Sequence, residues 1–327
     1  MLEVMKEREG AWPRGSDEPI AVGVVGAGVF GGYHARKYAS IPGARLVAIA
    51  DPSGAAAERL AGELKVDAID NARALVGRVE AVSIASPAVT HFELARSFLS
   101  AGIHVLVEKP LSLNLAEADE LIALAEARDL TLQVGHQERY VLNDLGLKDR
   151  RPRPVAIEAV RAAPFAGRGD DVSVTLDLMT HDLDMMHALV PGDVMALEAE
   201  GRSILEGPHV DEVTARLTLT GGARVRLHAS RVAKTRERLL RLTYPDGEIE
   251  IDFVARTLKN TTPTPLKAAF GGEGGAGAVV SDPLGYGLNA FLASVRTGAR
   301  PLIDGHAARR ALASALAIDA AVASARP

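Results

Sequence analysis

The sequence predicts an α/β protein with an N-terminal doubly wound parallel sheet and a C-terminal α+β region that contains a large, mostly antiparallel sheet. Two observations carry this prediction. Between residues 20 and 145, short apolar runs alternate with helix-like segments, which is typical of a parallel sheet covered on both faces. After about residue 150, apolar and polar residues alternate between turn signals, as in antiparallel strands.

The first half contains five apolar runs that are typical of buried strands, with four helices between them. The strands are IAVGVV, ARLVAIAD, VEAVSIAS, IHVLVEKP and LTLQVGH. The helices are YHARKYASI, SGAAAERLAGEL, VTHFELARSFLSAG and NLAEADELIALAEARD, with Ser53 expected to cap the second and Gly102 to end the third. Because ligands bind beyond the carboxyl ends of parallel strands, chemistry is expected there.

The second half contains strands in RPRPVAIEAVRA, DVMALEAEGR, VDEVTARLTLTGGARVRLHASRV, RLLRLTYPDGEIEIDF and ARTLKN. TGGA and PDGE are predicted hairpin turns. The segment DLMTHDLDMM is a helix inserted after the first of these strands, and two helices, GLNAFLASVRTG and HAARRALASALAIDAAVAS, close the chain. The glycine-rich AAFGGEGGAGAVVSDP is expected to be a mobile loop.

Length and composition narrow the function classes. The 327 residues are about twice a typical domain, so two domains are expected. A net charge of −5 argues against a general nucleic-acid binder, and the absence of cysteine excludes disulfides, thiolate metal sites and a cysteine nucleophile. The polar N-terminus has no apolar core of a signal peptide, and no run approaches the roughly 18 apolar residues of a membrane span. We therefore expect a cytoplasmic protein without membrane or nucleic-acid partners.

A glycine motif, G-x-G-x-x-G, joins the first strand to the first helix, in the context typical of a Rossmann dinucleotide site. Asp51 ends the second strand about twenty residues later, where a carboxylate binds the adenosine ribose and repels a 2′-phosphate. The sequence therefore predicts NAD as cofactor, the alternative being a Rossmann-like scaffold without nucleotide. The predicted contacts in the turn are Gly26, Gly28, Val29, Phe30 and Gly31.

Two further strand ends carry candidate residues. Glu108 and Lys109 end the strand IHVLVEKP, where a lysine can stabilise a developing alkoxide; a surface salt bridge is the alternative. Ser86 and Pro87, after VEAVSIAS, are expected to pack along the nicotinamide ribose. His91 opens the next helix, either as a cofactor contact or as a capping or core histidine.

The segment DLMTHDLDMM, residues 177–186, allows three interpretations: a metal site, a catalytic base with orienting acids, or the solvated face of a helix. On a regular helix Asp177, His181 and Asp184 fall within roughly 60° of one another, whereas Asp182 points elsewhere and is expected to be solvated. No second cluster with ligand spacing stands nearby, so no metal is predicted. The opposite, apolar stripe consists of Met179, Leu183, Met186 and Val190.

In order and spacing, VGVVGAGVFGGYHARKYA, VSIASPAVTHFELA, GIHVLVEKPLS and DLMTHDLD resemble the Gfo/Idh/MocA family of NAD(P)-dependent oxidoreductases. The resemblance covers nearly all of residues 20–325, and E-K-P after a Rossmann glycine motif is specific to this family. It implies that Lys109 matches the E-K-P lysine and that Asp177 and His181 complete a catalytic triad. Met179 stands where members usually have glycine. A homodimer or homotetramer is also implied.

The block RAAPFAGRGDDVSVTLDLMTHDLDMM, with ASRVAKTRERLLRL and VGHQERY, looks most like the branch of UDP-N-acetylglucosamine 3-dehydrogenases. That branch oxidises the sugar 3-hydroxyl to a ketone, which an aminotransferase then uses to make a 3-amino sugar nucleotide for lipid A. The resemblance implies a UDP-sugar substrate and a downstream aminotransferase. Two alternatives are a dehydrogenase of inositol or another simple sugar, and a non-catalytic nucleotide-binding sensor or scaffold.

The basic residues support a phosphate-bearing substrate. Residues 224–241 hold seven of them against one acid, Glu237, and a diphosphate needs such partners. The alternative is that these arginines decorate the solvent face of a sheet. Arg168, in AGRGDD, is the favoured phosphate contact. The predicted substrate contacts are Arg139, Arg161, Arg168 and Asp184.

The expected reaction is hydride transfer from a sugar carbon to the nicotinamide. His181 acts as general base, Lys109 stabilises the alkoxide, and Asp177 orients the imidazole or binds a neighbouring hydroxyl. We assign residues 1–19 to a flexible leader, 20–145 to the NAD-binding Rossmann domain and 146–327 to a substrate-binding and oligomerisation domain.

Overall fold

A computed structural model of the chain describes residues 18–167, 169–267 and 282–325. Six parallel strands form its first sheet, in the order β3-β2-β1-β4-β5-β6. This is the doubly wound Rossmann order, so the predicted fold class of this half is confirmed. The strands are β1 (Ile20–Val25), β2 (Ala44–Ala50), β3 (Asp67–Ile69), β4 (Ala81–Ile84), β5 (His104–Val107) and β6 (Leu132–Val134).

Helices cover both faces of this sheet, because the central strands β1, β4 and β5 are buried on both sides. Ser53 occupies the N-cap position of the second helix, but its side chain makes no capping hydrogen bond, in contrast to the sequence expectation. The helices are α1 (Val29–Ser40), α2 (Gly54–Leu64), α3 (His91–Ser100), α4 (Leu115–Ala127) and the short α5 (Glu138–Asp144).

Seven strands form the second sheet, in the order β13-β12-β11-β7-β10-β9-β8. Only β7 and β10 pair in parallel, so the prediction of a mostly antiparallel sheet is confirmed. Both predicted hairpin turns are present, with positive φ at Gly221, Gly222 and Gly247. The strands are β7 (Ala156–Ala162), β8 (Val194–Arg202), β9 (Glu212–Leu219), β10 (Arg224–Ser230), β11 (Glu237–Tyr244), β12 (Gly247–Asp252) and β13 (Thr257–Asn260).

The inserted helix lies between β7 and β8, as expected, but it begins with an irregularity. A five-residue π-helical turn, Thr175–Met179, leads directly into α6 (Thr180–Leu189). Helix α6 packs on the last helix, α8 (Gly305–Ser324), and its predicted apolar stripe lies in the core. Met179 is completely buried there.

Helix α7 (Pro283–Thr297) returns to the first sheet. Its side chains Leu288 and Phe291 belong to one buried cluster with Val24 of β1 and Tyr38 of α1. Gln133 of β6 also donates to the carbonyl of Gly287, at 2.9 Å. A late segment of the chain therefore completes the core beneath the dinucleotide sheet.

Three predicted features lie outside the described residues. They are the leader, apart from its last two residues, the glycine-rich loop over 268–281, and Arg168. Within the described ranges, no helix has the length and apolar character needed to cross a membrane.

Candidate active site

A cavity of about 1010 Å³ runs along the carboxyl ends of the first sheet. Its volume lies at the upper end of the range for small-molecule sites, as a dinucleotide requires. Most of the predicted cofactor residues line it: Gly26, Gly28, Val29, Phe30, Asp51, Ser86, Pro87, Glu108 and Lys109.

The three glycines of the first turn differ in what surrounds them. Gly26 has φ +102°, and a Cβ there would meet the carbonyl oxygen of Ala85 at 2.5 Å. A Cβ on Gly31 would lie 1.8 Å from the carbonyl oxygen of Gly26. At Gly28, in contrast, no atom lies within 4 Å of a Cβ position. The turn is therefore tight on the protein side and open on the cavity side, next to the start of α1, which is the form that a pyrophosphate requires.

Asp51 is held in place by the backbone. Its two carboxylate oxygens accept the N–H groups of Ala27, at 2.7 Å, and Ser53, at 2.8 Å. Each oxygen keeps a lone pair for a ligand hydroxyl, because a carboxylate has about four acceptor positions. The carboxylate thus lies fixed in the cavity at the end of β2, as the ribose-binding prediction requires.

Lys109 and Asp177 form an ion pair across the two halves of the molecule. Lys109 Nζ lies 2.8 Å from Asp177 Oδ1 and also donates to the Asp177 carbonyl. Burial raises the pKa of Asp177, but the charge and hydrogen bond of Lys109 outweigh it and hold the pKa below its usual range. The π-helical turn carries Asp177, and Gly169 packs against it so closely that a Cβ would lie 2.6 Å from Oδ2.

A second cavity, of about 310 Å³, adjoins the first. Phe30, Lys109, Gly169 and Asp177 line both, so the Lys109–Asp177 pair stands at the junction. His181 lines the second cavity only, with its side chain 12% exposed. The structure therefore brings together the three residues of the predicted triad, at the meeting point of two ligand spaces.

His181 has a partner that sequence reasoning did not assign. Its Nδ1 lies 2.8 Å from Oε2 of Glu138, the first residue of α5. Asp177 is engaged with Lys109, and no hydrogen bond or ion pair joins it to His181 in the described part of the chain. In this structure Asp177 does not contact the imidazole, so of its two expected roles only the binding of a neighbouring hydroxyl agrees with the geometry, and the carboxylate that contacts the imidazole is that of Glu138.

Among the described residues, four arginines line the second cavity: Arg161, Arg231, Arg236 and Arg238. Arg161 is buried and bound to Asp182 and Glu138, and Arg231 is held by Asp211 and by two loop carbonyls. Arg236 is exposed, and among the described residues it has no ion-pair partner. The pKa of Arg238 is lowered by burial and by its arginine neighbours, against the attraction of Glu138. Arg238 Nη1 lies 3.8 Å from Oε1 of Glu138. Among the described arginines of this cavity, Arg236, which has no ion pair, and Arg238, which has only this long one, are therefore the least engaged and the most available to an anionic ligand.

Two of the predicted substrate contacts lie in the core instead. Arg139 makes a bidentate ion pair with Asp184, whose side chain is completely buried. Neither residue lines the two cavities, so their role in this structure is structural. Asp182, expected to be solvated, is also corrected: it is 3% exposed and accepts two hydrogen bonds from Arg161.

His91 and Glu108 hold the loops around the cofactor cavity in place. His91 is buried, with its ring nitrogens 2.7 Å and 3.0 Å from the carbonyl oxygens of Pro110 and Ser86, and burial lowers its pKa. It braces the loops that follow β4 and β5 and does not line the cofactor cavity, so of its two interpretations the core histidine fits. Glu108 lines the cavity while accepting hydrogen bonds from His34 and Gln137, each at 2.9 Å.

No group of three or more potential ligands that could hold a metal ion occurs within the described residues. Two residues of the site were not predicted from the sequence. Phe165 lines the second cavity, and Glu138 contacts His181 behind it. Glu138 stands in the quoted segment VGHQERY, but nothing in its spacing from His181 indicates contact.

Comparison with known proteins agrees with this architecture. Residues 20–136 match the model of the Gfo/Idh/MocA oxidoreductase family with an NAD-binding Rossmann fold, and residues 150–252 match a Gfo/Idh/MocA C-terminal domain. UDP-N-acetylglucosamine 3-dehydrogenase of Acidithiobacillus ferrooxidans is 35% identical over 312 residues, 93% of this chain and 97% of that protein. An inositol 2-dehydrogenase of Rubrobacter xylanophilus is 36% identical over 58% of this chain and 57% of its own.

Solved structures show the same family similarity. UDP-N-acetylglucosamine 3-dehydrogenase GnnA from Acidithiobacillus ferrooxidans superposes with a TM-score of 0.83 at 34% identity, covering 94% of this chain and 98% of its own. With both sheets, the glycine turn and the near full-length similarity in place, the chain belongs to the Gfo/Idh/MocA family of oxidoreductases and binds NAD in its Rossmann domain.

Proposed function

We propose that this enzyme oxidises the 3-hydroxyl of UDP-N-acetylglucosamine to the 3-keto sugar nucleotide with NAD as acceptor. The observation that carries the proposal is the junction of a dinucleotide cavity with an arginine-lined cavity, with the Lys109–Asp177 pair between them. Similarity over 93% of the chain to a dehydrogenase of that substrate supports it.

The chemistry follows from the contacts of each residue. His181 takes the hydroxyl proton at Nε2, because its Nδ1 is buried against Glu138. Lys109 donates to the oxygen as alkoxide character develops, and Asp177 fixes its ammonium group. NAD, when bound, accepts the hydride that leaves the sugar carbon. Gly26, Gly28 and the N-terminus of α1 would hold its pyrophosphate.

The second cavity distinguishes a nucleotide sugar from an uncharged polyol. Arg236 and Arg238 offer two guanidinium groups, which suit the oxygen atoms of a diphosphate. Phe165, 40% exposed on the same wall, offers an apolar face for a base. An inositol would leave both features unused.

The test is a cofactor-reduction assay. We expect UDP-N-acetylglucosamine to reduce NAD, most clearly when an aminotransferase removes the ketone. His181→Ala should lower kcat by about 10²–10⁴-fold, the usual contribution of a general base, without loss of NAD binding. Reduction of NAD with myo-inositol and none with the UDP-sugar would favour an inositol dehydrogenase. Retention of bound NAD without turnover of either compound would favour the sensor interpretation.

We propose further that the ketone passes to an aminotransferase that makes a 3-amino sugar nucleotide for lipid A, in the cytoplasm, where the nucleotide sugar and NAD occur. Assembly as a homodimer or homotetramer belongs to the same proposal and is supported by the family resemblance. Light scattering of the purified protein measures it directly, and a monomer at working concentration would contradict it.

A further inference from the structure

We propose that Glu138 is the positioning residue for His181, so that the site contains two separate pairs, Lys109–Asp177 and His181–Glu138. This inference rests on the proposed function, because it assumes that His181 is the base. It assigns a role to a buried acid outside the predicted triad.

The geometry gives the two acids different partners: Asp177 binds Lys109, whereas Glu138 contacts His181 and also pairs with Arg161 and Arg238. Glu138 Oε2 lies 2.8 Å from His181 Nδ1, and both side chains are 12% exposed. Asp177 precedes His181 by one turn, but its carboxylate is bound to Lys109 at 2.8 Å. The π-helical turn that ends at Met179 changes the angular spacing of Asp177 and His181 from that of a regular helix. The acid that contacts the imidazole therefore comes from α5 and not from its own helix.

The charge of Glu138 fixes the tautomer of the ring. Burial raises the pKa of Glu138, but His181 when protonated, and Arg161 and Arg238 at all times, hold it well below the ordinary value. An ionised carboxylate can only accept a hydrogen bond, so a neutral His181 that donates to Glu138 carries its proton on Nδ1. This leaves the lone pair on Nε2, the ring nitrogen that does not contact Glu138.

Further charged or titratable groups near His181 come from several elements. They are Glu108 and Lys109 after β5, His136 after β6, Arg161 on β7, Asp177 on the π-helical turn and Arg238 on β11. Arg231 and Arg236 line the same cavity as His181. Burial lowers the pKa of His136 to about 4, so this ring is neutral at working pH and packs edge-on against His181, with ring centres 5.6 Å apart. Glu138 is the ion in direct contact with the imidazole.

The variant Glu138→Gln keeps the shape of the side chain and removes its charge. We expect kcat to fall roughly 10–100-fold, a part of what a general base contributes, while the KM for NAD is unchanged. The acid limb of the kcat/KM profile should move to lower pH, because a protonated imidazole loses the carboxylate that stabilises it. Glu138→Asp, which restores the charge, should return part of the rate and of the profile.

Asp182→Asn is the matched control. Asp182 also binds Arg161 but does not contact His181 in the described structure, so this variant should lower the melting temperature and leave the position of the acid limb unchanged. If Glu138→Gln behaved as Asp182→Asn does, with lower stability and an unmoved limb, Glu138 would be a structural residue only and the inference would be wrong.

Nitrogen NMR of the histidines tests the pairing without any substrate. The His181→Ala spectrum identifies the signal, and the wild type should show the Nδ1-protonated tautomer, with a changed tautomer ratio in Glu138→Gln. An unchanged ratio would overturn the inference. A changed ratio in an enzyme that does not oxidise UDP-N-acetylglucosamine would support the pairing while contradicting the proposed function.

Discussion

At the residue scale, the three aspartates of the segment DLMTHDLDMM each bind a different cation. Asp177 binds Lys109 after β5, Asp182 binds Arg161 on β7, and Asp184 binds Arg139 on α5. Buried carboxylates are tolerated only when they are paired, so the surrounding elements supply one positively charged side chain for each aspartate. His181 is therefore left as the titratable group of this helix that opens onto the substrate cavity.

A prediction at this scale concerns the choice of cofactor. Asp51→Ala removes a carboxylate that would repel a 2′-phosphate, and we expect the NADP-to-NAD ratio of kcat/KM to rise about tenfold or more, equivalent to about 1.4 kcal/mol. Affinity for NAD should also fall, because a ribose hydroxyl loses its acceptor. Steady-state kinetics with both cofactors measure these effects.

The control for that variant is Asp67→Ala, which removes an exposed aspartate of β3 that pairs with Arg78 outside the cavity. It should leave the cofactor ratio unchanged. A ratio that stayed at the wild-type value in Asp51→Ala would contradict the proposed role of Asp51.

At the element scale, the turn between β1 and α1 combines two different constraints on glycine. Gly31 meets its own chain, because a Cβ would lie 1.8 Å from the carbonyl oxygen of Gly26. Gly28 meets no protein atom within 4 Å of a Cβ position. Packing within the protein therefore requires glycine at position 31, whereas at position 28 only a ligand would require it.

Two alanine variants separate these constraints. Gly31→Ala should lower the free energy of unfolding of the protein without cofactor by about 1–3 kcal/mol, the usual cost of overpacking, or by more, and its melting temperature should fall accordingly. Gly28→Ala should leave that temperature nearly unchanged and weaken NAD binding about tenfold or more, because the added methyl group occupies the position of the pyrophosphate. Thermal denaturation and NAD titration are the measurements, and equal effects of the two variants on NAD binding at unchanged stability would contradict this division.

At the scale of the whole molecule, the fold keeps neutral histidines in its interior. His136 is 2% exposed, and burial lowers its pKa from 6.5 to about 4. Between these values the unfolded chain binds a proton that the folded chain does not. Stability should therefore decline as the pH falls from about 6.5 to about 4, with His136 contributing roughly 3 kcal/mol across that interval.

Denaturant unfolding at several pH values tests this prediction. His136→Phe keeps a ring and cannot titrate, so its free energy of unfolding should depend less steeply on pH over that interval. His306→Gln is the matched control, because the His306 side chain is 49% exposed and bound to Glu126 at the surface. Equal slopes for wild type and His136→Phe would contradict the assignment.

The sequence by itself determined the cofactor and most of the elements, although the short β3 and α5 were not predicted. Strand and helix patterns are local, so the alternation over residues 20–145 and the turn at Gly26–Gly31 could be predicted from neighbouring residues alone. Family resemblance identified Lys109, Asp177 and His181, and the structure places all three at one junction.

Only the tertiary structure decided which side chains contact one another. Glu138 and His181 belong to different helices, Arg139 and Asp184 meet in the core, and α7 returns to a sheet formed by the first third of the chain. Because a π-helical turn precedes His181, the angles expected between Asp177 and His181 on a regular helix do not apply. The physical reason is that hydrophobic periodicity specifies which face of an element is buried, whereas the partner of a buried charge depends on how distant elements pack.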